Sequence, residues 1–164
     1  MVLAMKPNLA TIARYYRVGI EAGLCDPEDA RTWALGVTED ETEPPPAIMD
    51  ISQRQPQASL LDALASVPGD VDNDVAGRWL LAELRAAMLA FPADPLAEVR
   101  RALYVAKATD LDEVIYHEFD RIEEAMAMAL SGTYGTVSEC WFDFEYALQR
   151  FVPAPFVHHE QRAG

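Results

Sequence analysis

The chain has 164 residues, 51% of them apolar and 24% charged, which is enough for one folded domain with a real core and far from the composition of disorder. Its 27 acids against 13 bases leave a net charge of -14. That charge repels nucleic-acid backbones and anionic lipid surfaces and favours basic partners, so neither nucleic acid nor membrane is an expected target.

The charge is concentrated. Residues 26–43 and 110–124 each carry seven acids and one base, and residues 139–145 add three acids. Cys25 and Cys140 lie far apart with no CxxC spacing, so both are expected as free thiols in a reducing, cytoplasmic setting. The N-terminal stretch is interrupted by Lys6 and Pro7 and lacks a secretory apolar core. No run reaches the roughly 18 apolar residues of a membrane span.

Apolar positions recur at helical spacing almost throughout, which predicts an all-α fold: a single-domain bundle of about six or seven helices over residues 1–152, with a flexible tail at 153–164. The first helix is expected over residues 8–22, with Leu9, Ile12, Tyr16 and Ile20 inward and Gly23 as its stop. Asp26-Pro27-Glu28-Asp29 combines an N-cap carboxylate, a proline at the first helical position and acids at the positive end of the helix dipole. The second helix then carries Trp33, Leu35 and Val37 towards Glu39. Pro44, Pro45 and Pro46 break it. The result is a corner that displays Glu39, Asp40, Glu41 and Glu43, with Trp33 and Ile48 tying its two ends to the core.

Residues 47–52 are too short to arbitrate between helix and strand. Ser59-Leu60-Leu61-Asp62 reads as a capping box opening a short helix that Val67-Pro68-Gly69 closes. Residues 75–91 are apolar on nearly every side when wound as a helix, the pattern of a buried central element, with Arg78, Arg85 and Glu83 at its edges. After Pro92, Asp94-Pro95 caps a helix with Leu96, Val99, Leu103 and Ala106 inward. A longer helix starts at Thr109 or Asp110 and runs to Leu130, burying Leu111, Val114, Ile115, Phe119, Ile122, Ala125, Met126 and Ala129.

Glu118 falls within that stripe. An unpaired carboxylate there is costly, so an arginine partner is expected, Arg78 or Arg85. Beyond Gly132 and Gly135, residues 137–151 form the last helix, burying Val137, Trp141, Phe144, Leu148 and Phe151. Phe142 and Tyr146 point the other way among Glu139 and Asp143, and need a cover: the Pro153–Phe156 tail, a second subunit or a partner.

Catalytic patterns are missing. Glu113, His117, Asp120 and Glu124 share a helix face, but neither the paired Glu-x-x-His of di-iron bundles nor His-Glu-x-x-His occurs, so a solvated acidic face is the expectation. Asp72, Asp74, Gly77 and Glu83 fall at positions of a calcium-loop register, but Ala76 takes a ligand position and the aspartates read better as helix caps. There is no Gly-x-Ser-x-Gly, no phosphate-cradling glycine loop and no evident triad partner for the three histidines; no cofactor is expected.

The order of Gly23, the Asp26-Pro27-Glu28 cap, Trp33-Ala34, an acidic linker, three prolines and Ile48-Met49-Asp50-Ile51-Ser52 resembles small acidic helical proteins of bacterial toxin–immunity loci over the first third of the chain. The resemblance implies a cytosolic protein that binds and neutralises a toxin domain, with no catalytic residues to carry over. The expected function is therefore a non-enzymatic module for a basic protein partner. Its contacts are Glu39, Asp40, Glu41, Glu43, Glu113, Asp120, Glu124, Glu139, Phe142, Asp143 and Tyr146. A dimeric effector chaperone or adaptor, with Phe142 and Tyr146 in its subunit interface, is the second expectation. A helical metal-dependent hydrolase using Glu113, His117 and Glu124 is the third.

Overall fold

The computed structural model describes residues 8–88 and 92–156. Among the described residues every regular element is helical: α1 (Leu9–Glu21), α2 (Pro27–Asp40), α3 (Pro46–Ile51), α4 (Gln57–Ala65), α5 (Asn73–Ala87), α6 (Pro95–Ala108), α7 (Glu113–Leu130) and α8 (Val137–Leu148). The all-α expectation holds. The chain divides into two compact units, Met1–Ala76 and Gly77–Gly164, with the boundary inside α5.

In the first unit the helices pack as a closed ring, α1 against α2, α2 against α3, α3 against α4 and α4 back against α1. Local chemistry sets each end. The Asn8 side chain accepts from the Thr11 amide at 2.8 Å to start α1, and Gly23, at φ +73°, turns the chain after its C-cap. Asp26 accepts from the Glu28 amide at 2.8 Å, and Pro27 opens α2 as expected. The segment after the prolines resolves as a helix, with Pro46 at its start and Ala47, Ile48 and Ile51 buried. Trp33 is half-buried, its ring 5.6 Å from that of Tyr16, while Leu35 is exposed rather than inward.

The capping box expected at Ser59 is not used. α4 starts two residues earlier, after Pro56, with no side-chain cap, because the proline already holds the extended geometry from which a helix can begin. Asp72 behaves as the caps argument expects, accepting from the Val75 amide at 3.1 Å at the head of α5.

In the second unit α6 packs on α7 and α7 on α8. The part of α5 in this unit buries Gly77, Leu80, Leu81, Ala82 and Leu84, while its last turn is exposed at Arg85, Ala86 and Ala87. Residues 89–91, the expected end of this helix, lie outside the described residues. Glu83 is not at an edge: it is 3% exposed and engaged, as a buried carboxylate must be. At Gly77 the helix passes close to the α6–α7 connection, since a Cβ there would overlap Thr109 Oγ1 and the Leu111 side chain.

α7 begins at Glu113, three or four residues later than expected. Thr109 instead closes α6, its hydroxyl donating to the Val105 carbonyl at 2.7 Å, and Asp110 takes a left-handed turn at φ +49°. Asp112 then caps α7, accepting from the Val114 amide at 2.8 Å. Ile115, Phe119, Ile122 and Met126 are buried as the periodicity predicts, whereas Val114, placed inward from sequence, is 71% exposed.

Candidate acidic aromatic face

The α7–α8 connection reverses the chain through Gly132 and Gly135, at φ +73° and +74°. Thr136 Oγ1 then accepts from the Glu139 amide at 3.2 Å and sets the start of α8. Glu139 sits in the first turn, where a carboxylate is favoured by the helix dipole. From this start, 100° per residue sends Cys140, Trp141, Phe144, Ala147 and Leu148 inward. Phe144 anchors the set, with ring centroids 5.9 Å from Phe119 and 5.4 Å from Trp141. Burying a phenylalanine in this way contributes about 2–3 kcal/mol.

The opposite face of α8 carries Glu139, Phe142, Asp143 and Tyr146, all exposed, the two aromatic rings at 68% and 69%. The sequence reading of this helix as a two-sided element therefore stands. The tail does not supply the cover: Ala154 is buried and the Phe156 ring lies edge-on to Trp79 at 5.2 Å. His158 and His159 lie outside the described residues.

The electrostatics of this face are one-sided. Glu145 accepts from the Trp141 indole at 3.1 Å, so it is spoken for. The base that follows, Arg150, donates to Glu118 at 2.9 Å and stacks over Phe151 at 4.9 Å. This corrects the expected partner of Glu118, which is neither Arg78 nor Arg85. With Arg150 drawn to α7, Glu139 and Asp143 have no base on their own face of α8. Their field reaches inward: burial first, then Asp143 and Glu139, push the Cys140 thiol above its ordinary pKa.

On α7, Glu113, His117 and Glu124 are exposed and Asp120 is half-buried, along one helical stripe. Among the described residues no three His, Cys, Asp or Glu side chains come together in a way that could hold a metal ion. Glu39 and Asp40 end α2, Glu41 caps it and Glu43 follows, all four exposed in the first unit. No base lies in the last turn of α2, so the acids sit unrelieved at the negative end of its dipole.

Sequence reasoning missed two exposed aromatics, Tyr104 on α6 and Tyr134 in the α7–α8 turn. For Tyr134, the position between Gly132 and Gly135 was the available signal, because a side chain at the tip of a two-glycine turn has no core to reach. The second unit also holds an open cleft of about 430 Å³ lined by Ala82, Arg85, Met88, Glu145, Gln149 and Phe151. No nucleophile and base pair converges there. Among the described residues no helix is long and apolar enough to cross a membrane. No protein family, characterised relative or solved structure matches the chain.

Proposed function

We propose that this protein is a non-enzymatic acidic binding module, an immunity protein of the cytoplasm that binds and neutralises a cognate basic toxin domain. The observation that carries the reading is the outer face of α8, where two aromatic rings stand exposed beside the exposed carboxylates of Glu139 and Asp143. Aromatic side chains supply the desolvated anchors of interfaces, and opposite charge speeds encounter and rejects acidic competitors. Within the second unit the exposed acids of α7 add to this negative charge, and the first unit carries its own acidic corner at residues 39–43. In this reading the apolar helix α5 is scaffold, its leucines buried, and the contacts lie elsewhere.

The test is direct binding of the basic domain encoded in the neighbouring reading frame, followed by calorimetry across a salt series. The reading predicts a complex whose affinity falls as salt rises. No binding, or binding indifferent to salt, refutes it.

A further inference from the structure

We infer that the outer face of α8 receives a basic amphipathic helix of the partner, with apolar residues one turn apart seated on Phe142 and Tyr146 and Lys or Arg side chains reaching Glu139 and Asp143. The inference rests on the binding reading above and specifies the docking element.

Three observations select this occupant. First, Phe142 and Tyr146 are four residues apart on one helix, a rise of about 6 Å. This matches the spacing of anchors at i and i+3 or i+4 on a second helix. Second, every regular element among the described residues is a helix, so there is no strand edge among them. A partner's extended backbone would find no hydrogen-bonding ladder here. A helix brings its own backbone bonds already satisfied and needs only side-chain contacts. Third, residues 137–148 carry three acids and no base, and Arg150 just beyond them is held by Glu118.

That third point also weighs against a second copy of this chain as the occupant. Two such faces would bring Asp143 towards Asp143 across the symmetry axis, between chains that each carry a net charge of -14. The chain's own Pro153–Phe156 segment is accounted for at Trp79.

Fluorescence anisotropy with the full-length protein tests this using two labelled peptides of 20 residues and identical Leu and Lys content. One has its leucines on a single helical stripe, and the other has the same residues permuted so that no stripe forms. The expected result is at least tenfold tighter binding of the striped peptide. Phe142→Ala/Tyr146→Ala should lose at least tenfold of that affinity, and Asp50→Asn/Asp62→Asn, at two exposed acids outside the proposed contacts, less than threefold. Both rings are more than two-thirds exposed, so the double variant should keep its circular dichroism and melting temperature.

Equal binding of the two peptides, or full retention by the double variant, overturns the helix inference while leaving salt-sensitive binding of the basic toxin domain as a separate result. Light scattering that shows a dimer abolished by the double variant overturns it in favour of a second copy.

Discussion

Arg150 Nη2 and Glu118 Oε2 meet at 2.9 Å across 32 residues of chain, tying the first half of α7 to the end of α8. The pair is partly exposed, with side chains 43% and 25% accessible. Arg150→Met should therefore cost only about 0.5–1 kcal/mol, an effect that shrinks in high salt. Chemical denaturation at two ionic strengths measures it.

The same pair shows where reading the sequence stopped. That Glu118 needs a cation follows from its place in an apolar stripe. Which cation depends on how α8 lies against α7, and helical periodicity contains nothing about pairing between helices. The sequence reading also carried the last helix to residue 151, whereas α8 ends at Leu148 and leaves Arg150 beyond it.

Gly77 and Gly36 should respond oppositely to alanine. Both are helical, and on an open helix surface alanine is better than glycine by about 0.5–1 kcal/mol. Gly36 has nothing within 4 Å of the added methyl, so Gly36→Ala should stabilise by about that amount. At Gly77 the methyl would overlap Thr109 Oγ1 and Leu111, and Thr109 is fixed by its bond to Val105. Gly77→Ala should destabilise by about 1–3 kcal/mol. Thermal melts of the two variants give the signs.

The acidic corner should prove a stability cost. Glu39, Asp40 and Glu41 crowd the negative end of α2 with no base in its last turn. Replacing the four corner acids by amides should leave stability unchanged or raise it by about 0.3–1 kcal/mol. It should also slow association with the proposed basic partner by weakening long-range attraction. Stopped-flow kinetics beside a denaturation curve separates the two effects.

Cys140 should resist alkylation in the native protein. Its thiol is buried, and burial, Asp143 and Glu139 raise its pKa, so the reactive thiolate is disfavoured. The folded state thus holds this proton more tightly than the unfolded state. The resulting stabilisation is complete below the ordinary thiol range and is lost as pH rises towards the folded value. Iodoacetamide labelling followed by mass spectrometry at pH 8 should show modification only after unfolding.

Much of the fold was legible because its signals are local. The Asp26 and Asp94 caps, the prolines and the paired glycines mark helix ends through contacts within a few residues. The misplaced starts of α4 and α7 arose where two cap residues compete: Pro56 displaces Ser59, and Asp112 displaces Thr109 and Asp110. The α8 face was legible for the same local reason, since one helix with aromatics on both sides cannot bury both. Val114 was misread because it stands at the exposed edge of the first turn, where the stripe has not yet turned inward.

The most direct test of the proposed binding function is the affinity of the proposed basic toxin domain for the native protein and for Phe142→Ala/Tyr146→Ala, each at 50 and 300 mM salt. The account predicts at least tenfold weaker binding at the higher salt, and at least a further tenfold loss in the double variant at either salt, consistent with two interface anchors worth more than about 1 kcal/mol together. Affinity unchanged by both salt and substitution would contradict it.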